Sequence, residues 1–286
     1  MLINKGSSLE YLINFKEGKI KHGLDIGNEL DNYLRFKPKQ LNIILGHDNV
    51  GKTYWFQWYM LVLALRHGIK FAVWSGENSS GQILRDMVQM YKGRRFKELS
   101  KTEIINSTTF LEQFFTFVDN RKLYKPKELL DIFANIDCQA CIIDPFTGLD
   151  RAMTYEGNYK FLNITRQFCN ITGKSVYIST HPNTESGRSG NLYPESHEWA
   201  GMLKPPLKDH VEGGKAFLNR CDDMITIHRL VKSKTMKYET MISTEKIKDK
   251  DTGGDLTEFN MPLLFNFNNG FGFTIKGIDV LKKYRK

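Results

Sequence analysis

Apolar residues in this chain fall into short continuous runs separated by longer segments in which they recur every three or four positions. The run LNIIL at 41–45 reads as a short buried strand. A glycine-bearing turn follows it, then the helical segment TYWFQWYMLVLALRHG, which ends at Gly68. KFAVWS at 70–75 predicts a second strand, and the Ser79-Ser80-Gly81 cluster marks the start of another helix. Further along, FFTFVD at 114–119 is strand-like, KPKELLDIFANI helical, CQACIID at 138–144 a strand, YKFLNITRQFCNITG helical, and SVYIST at 175–180 a strand. Strands alternating with helices imply a parallel sheet covered on both faces. Residues 183–214 lose this periodicity and are rich in Gly, Ser, Pro and charge. An irregular stretch of that length is either functional or disordered. Beyond it, DDMITIHR, KYETMISTEKI and LLFNFNNGFGF predict antiparallel strands that extend the sheet. An amphipathic piece at 9–15 precedes the first strand.

Composition narrows this picture without deciding it. The chain has 286 residues, 41% hydrophobic and 26% charged, enough for one large α/β domain with a substantial core. Its net charge of +9 is spread along the sequence and favours polyanions such as nucleotides, nucleic acid or acidic membrane surfaces. The first residues lack the basic, apolar and small-residue succession of a signal peptide. No run approaches the ~20 apolar residues of a membrane span. Four cysteines are too few for a disulfide scaffold, so a cytoplasmic protein is expected. Cys138-Gln-Ala-Cys141 has redox or zinc spacing, but it runs straight into an apolar strand and has no second pair, which favours a buried structural role.

The chemistry begins at Gly46-His47-Asp48-Asn49-Val50-Gly51-Lys52-Thr53. These residues satisfy G-x-x-x-x-G-K-[ST] at every fixed position, between an apolar strand and a long helix. Glycines let backbone N–H groups converge on phosphate oxygens, and the helix N-terminus adds partial positive charge. Lys52 is expected to reach the β- and γ-phosphates of ATP or another NTP, and the Thr53 hydroxyl to ligate Mg²⁺. Tyr54 completes the phosphate-loop set. A second Mg²⁺ ligand is expected at the tip of a neighbouring strand, where Asp144 closes the run Cys141-Ile-Ile-Asp144. Hydrolysis also needs a group that orients or deprotonates water. Glu77 follows the second strand, which is expected to lie beside the phosphate-loop strand.

The order of these segments resembles the DnaB-type replicative helicases, including the helicase halves of phage primase-helicases. GLDIGNELDNYLRFKPKQLNIILGHDNVGKT looks like that family's approach to its phosphate loop, and SGENS sits where the family carries an S-x-E segment. The resemblance implies a RecA-like P-loop NTPase core: a mainly parallel twisted sheet with helices on both faces and C-terminal antiparallel strands. It implies Glu77 as catalytic base. VYIST followed by His181 is similar to the family's third motif and implies His181 as the γ-phosphate sensor. GGKAFLNRCDDMITIHR resembles the exit from a DNA-contacting loop into a strand whose Arg, here Arg229, lies near the nucleotide base. The loops at 148–157 and 183–215 would face a central channel, with Lys204, Lys208 and Lys215 as contacts to the phosphate backbone of single-stranded DNA.

In Glu245-Lys-Ile-Lys-Asp-Lys-Asp-Thr-Gly253 the resemblance places Lys246 and Lys248 where the family reaches across to its neighbour's γ-phosphate. A Lys stands in place of the expected Arg finger and cannot make its planar bidentate contact. Lys250 also replaces a Gly. The resemblance covers roughly residues 20–275, with 1–19 as a linker segment and 20–286 as the ATPase domain. Neither a collar domain nor a primase is expected within the chain. The reading is thus an ATP-hydrolysing DNA helicase in a homo-oligomeric ring, a hexamer, from a phage-like or plasmid-like source, with a primase or loader as further partner. Two alternatives share the phosphate loop: a RecA-like recombinase or mediator that forms filaments, and a regulatory or packaging-associated ATPase that does not unwind DNA.

Overall fold

The computed structural model describes residues 6–19, 22–152, 154–187, 189–258 and 260–285. Its strands are β1 Leu41–Leu45, β2 Phe71–Ser75, β3 Phe115–Phe117, β4 Ala140–Asp144, β5 Ser175–Thr180, β6 Asp223–Arg229, β7 Glu239–Lys246, β8 Leu263–Phe267 and β9 Phe273–Thr274. All belong to one sheet in the order β3-β2-β4-β5-β1-β6-β7-β8-β9. From β3 to β6 every pairing is parallel, and from β6 to β9 every pairing is antiparallel.

Two expectations need correcting. DDMITIHR enters as β6, parallel to β1 and hydrogen-bonded directly to it; the antiparallel part begins one strand later. Its nearly continuous burial suits the parallel half of a sheet covered on both sides, as β1 does. The second strand, β2, does not lie beside the phosphate-loop strand, because β4 and β5 stand between them, and β5 likewise separates Asp144's strand from β1. Local sequence pattern carries strand identity; strand order is set by long crossovers and is invisible to it.

The helices are α1 Ser7–Lys16, α2 Lys52–His67, α3 Ser80–Lys92, α4 Lys101–Leu111, α5 Pro126–Ala134, α6 Tyr155–Thr172 and the short α7 Ala216–Arg220 and α8 Lys250–Gly253. Helices α2 to α7 divide between the sheet faces as β1 dictates. Leu41, Ile43 and Leu45 point into a core shared with Leu129 and Phe133 of α5 and Phe161 and Leu162 of α6. Ile44 points the other way, into a core built on Trp58, Tyr59 and Leu63 of α2 and Met87 of α3. Helix α2 is buried from Trp55 to Ala64, which explains a sequence apolar on nearly every side. It starts behind Gly51 and stops at Gly68, both left-handed, with the Gly68 N–H on the Ala64 carbonyl. Helix α4 is not legible as apolar periodicity, since it buries just Ser107 and Leu111. Its signal is the capping box of Ser100 and Glu103.

The amphipathic piece at 9–15 forms α1, but Leu9, Tyr11, Leu12, Ile13 and Phe15 are all exposed. The expected linker also includes residues 1–5, outside the described residues, and its boundary at residue 20 adjoins the undescribed 20 and 21. No helix among the described residues is long and apolar enough to cross a membrane. Cys138 and Cys141 are buried free thiols, 3.8 Å apart, at the root of β4.

Candidate nucleotide site

The C-terminal ends of β1, β4, β5 and β2 lie along one edge of the sheet, and the candidate residues extend from that edge. The phosphate loop links the end of β1 to the first residue of α2. Gly46 tolerates no side chain, since a Cβ there would stand 2.4 Å from the Ile227 carbonyl oxygen and 2.8 Å from Lys52 Cδ. Gly51, at φ 88°, turns the chain into α2. Val50 is buried beneath the loop, while Asp48 and Asn49 are exposed above it.

Lys52 is 7% exposed, and its Nζ donates to the carbonyls of Gly46, at 2.7 Å, and His47, at 2.8 Å. Burial lowers its pKa, against the opposing pull of Asp144, Asp48 and Glu77. His181 directly follows Thr180, the register partner of Leu45, so it emerges beside Gly46. Its Nδ1 lies 3.2 Å from Lys52 Nζ and 2.7 Å from Asp48 Oδ1. Thr53 Oγ1, in the first turn of α2, donates to Asp144 Oδ2 at 3.0 Å, although β1, which leads into that helix, and β4 are not neighbours. Asp144 is nearly buried, and its register partner is Ser75. Glu77 lies two residues beyond Ser75, exposed and near enough for its charge to act on Lys52. The structure thus brings together Lys52, Thr53, Asp144 and His181 by direct contact, with Glu77 at their margin.

On the β6 side, Arg229 lies alongside the loop. A Cβ on Gly51 would be 3.5 Å from its guanidinium, which sits 5.4 Å over the Phe267 ring. Burial lowers the Arg229 pKa, and its Nε has no hydrogen-bond partner among the described residues. Tyr54 donates from its hydroxyl to the Gly270 carbonyl and packs edge-on against Phe267 and Phe273. Gln89 Nε2 donates to the same carbonyl at 2.9 Å, so the β8–β9 turn braces the start of α2. His47 packs edge-on against His228 with ring centroids 5.8 Å apart. Its pKa is lowered, first by burial and then by Lys52. The sequence does not announce the His228 contact; nothing in DDMITIHR distinguishes a histidine that faces a phosphate loop from one buried in a strand.

Two expected residues lie elsewhere. Lys246 pairs in register with Met224, near the start of β6, whereas the phosphate loop leaves the end of β1. Its Nζ donates to the carbonyls of Leu218, at 2.6 Å, and Cys221, at 2.7 Å, closing the end of α7. Lys248 Nζ lies 3.1 Å from Asp222 Oδ1, a carboxylate also paired with Arg166. Neither lysine is brought to the phosphate loop of its own chain. Of the lysines expected on DNA, Lys204 is half-buried and Lys208 and Lys215 are exposed. The segment carrying Lys204 and Lys208 is organised by bridges pairing Pro182 with Val211 and Leu192 with Leu203. Residue 153 of the expected 148–157 loop and residue 188 of the 183–215 loop lie outside the described residues.

A mainly parallel sheet whose central strand ends in a glycine-rich loop, with an acidic strand tip and a polar residue at the end of the neighbouring strand beside it, is the RecA-like fold of P-loop ATPase domains. Its neighbours among solved structures are DnaB-like helicase ATPase domains. One of them, solved as an ATPase domain, superimposes with a TM-score of 0.73 over 95% of this chain and 99% of its own, at 12% identity. A DnaB-like replicative helicase, described with its interactions with primase, gives 0.71 over 95% of this chain and 68% of its own, also at 12% identity. By sequence, the chain is 24% identical over 238 residues to the Twinkle homolog protein, chloroplastic/mitochondrial, of Arabidopsis thaliana. That match covers 73% of this chain and 31% of the relative, so the chain spans about a third of the relative's length. No family model matches the chain.

Proposed function

We propose that this chain is the motor domain of a ring-forming replicative DNA helicase that hydrolyses ATP at its subunit interfaces and moves along single-stranded DNA. The observation that carries the reading is the convergence of Lys52, Thr53, Asp144 and His181 on one phosphate loop. Lys52 now donates to loop carbonyls and would transfer those hydrogen bonds to the β- and γ-phosphate oxygens of the nucleotide. Thr53 Oγ1 and the Asp144 carboxylate offer the hard oxygen donors that suit Mg²⁺, which supplies charge neutralisation across the phosphates. Glu77 would orient and deprotonate the attacking water from the solvent side. His181, held between Lys52 and Asp48, would register loss of the γ-phosphate and pass it to the segment that begins at residue 183. Arg229 and Tyr54 would border the rest of the nucleotide.

The positions of Lys246 and Lys248 suit a role toward a neighbouring subunit, since neither can serve its own loop. The exposed apolar side chains of α1 support association, because a helix of this kind is covered when it docks on another subunit. A hexamer, a primase or loader as partner, and work in the cytosol of a bacterium or an infected host belong to the same reading. The domain limits, 1–19 for the linker and 20–286 for the motor, follow from it too. The net charge of +9 suits a DNA substrate. The test is the ATPase rate with and without single-stranded DNA, alongside strand separation on a forked duplex. Stimulation with unwinding is expected. Hydrolysis that ignores DNA, with no unwinding, would exclude a motor and leave a regulatory ATPase.

A further inference from the structure

Residues 192–203 form a small closed loop within the irregular segment. The Leu192–Leu203 bridge closes it, with Tyr193 N–H on the Met202 carbonyl at 2.8 Å and Gly201 N–H on the Tyr193 carbonyl at 3.0 Å. Three aromatic rings cluster on it. Tyr193 and His197 stack with centroids 4.4 Å apart, and Trp199 stands 5.2 Å from Tyr193 and 5.0 Å from His197. Lys204 Nζ lies 5.9 Å from the Tyr193 centroid. Besides the backbone bonds, the Trp199 backbone N–H donates to His197 Nδ1 at 3.1 Å, which fixes that ring within the loop. The loop does not hide its rings: Tyr193, His197 and Trp199 all remain half-buried, whereas Trp55, Trp58 and Trp74 are fully inside the core. Partly wet aromatic faces beside a basic side chain are the chemistry that receives nucleobases.

The root of the loop is tied to the nucleotide site. His228 Nε2 lies 2.9 Å from the Leu203 carbonyl, and the His228 ring packs edge-on against His47 of the phosphate loop. The tip carries the exposed carboxylates Glu195 and Glu198, which repel phosphate. A strand lying on this loop would therefore turn its bases to the tip and its sugar-phosphate chain to the side of Lys204 and Lys208.

We infer that Tyr193, His197 and Trp199 form a stacking platform for the bases of single-stranded nucleic acid. This rests on the reading of the chain as a DNA motor, and adds contact with bases to the phosphate contacts expected of its lysines. The test uses the full chain with Mg²⁺ and a non-hydrolysable ATP analogue, titrated with oligo(dT) and with an abasic oligonucleotide of equal length. Trp199 emission is read as the difference between wild type and Trp199→Phe. Oligo(dT) is expected to quench Trp199 and to bind about ten-fold more tightly than the abasic strand, an advantage largely lost in Tyr193→Ala. Equal affinity for the two strands with unchanged Trp199 emission would overturn the platform and leave the DNA reading standing. Binding of neither strand would overturn both. Quenching by the nucleotide alone, with none added by oligo(dT), would assign the rings to the nucleotide base and overturn the inference.

Discussion

Acid should loosen this fold through His228, and the structure sets both direction and size. His228 is 2% exposed, with Nε2 committed to the Leu203 carbonyl and Nδ1 without a partner among the described residues. Burial, reinforced by His47, pulls its pKa from 6.5 down to about 4. The fold therefore holds the imidazole neutral, while the unfolded chain takes up a proton between those values. Stability is complete above the unfolded pKa and is lost as pH falls through that window toward the folded one. Between pH 7 and pH 5 the loss from this group is about 2 kcal/mol. Urea unfolding followed by tryptophan emission at the two pH values measures it, with His228→Gln as reference, since Gln can donate to Leu203 without titrating. The variant is expected to be less stable at pH 7 but to lose about 2 kcal/mol less than wild type on acidification. Parallel pH curves for the two proteins would refute the assignment, whatever their absolute stabilities.

Three further outcomes are expected. Gly46→Ala must push against the Ile227 carbonyl and should lower stability by about 1–3 kcal/mol and weaken nucleotide binding, both measurable by thermal shift with and without nucleotide. Lys37→Met should cost about 3–5 kcal/mol in urea unfolding, because it strands Asp223, 2.9 Å from Lys37 Nζ and 2% exposed; adding Asp223→Asn should recover much of the loss. Glu77→Gln should reduce turnover by at least about 100-fold while nucleotide affinity, read by calorimetry, stays within about two-fold; unchanged turnover would remove Glu77 from the chemistry.

The parallel strands and the phosphate loop were legible because their signals are local. LNIIL, CIID and SVYIST are buried on both faces and read as apolar runs, and the glycine spacing at 46–51 is fixed by backbone geometry. The expectation that β2 neighbours β1 failed because strand order depends on which crossovers pack together, a property of the whole chain. β6 was placed in the antiparallel half for the same reason, since its sequence suits either direction. The strand tips still converge, because parallel strands present their C-terminal ends along one edge in whatever order they stand. Helix α4 was missed because it rests lightly on the core, and the Tyr193–His197–Trp199 cluster because aperiodic sequence gives no hint of which rings will meet. The two lysines near residue 247 show a further limit: a resemblance in sequence does not say where the fold carries the side chains, and both stand at the end of the sheet opposite the phosphate loop.

The brace at the base of α2 has a consequence for biosynthesis. Tyr54 and Gln89 both grip Gly270, which a ribosome adds more than two hundred residues after Lys52. A nascent chain can lay down its parallel strands before the hairpin exists, yet the start of the helix bearing Lys52 and Thr53 lacks this brace until the β8–β9 turn arrives. The end of α2 that carries the phosphate loop should therefore settle late, and a folding defect in this distant hairpin would be felt there as well as in the core that Phe265 and Phe273 share with Trp55 and Trp58.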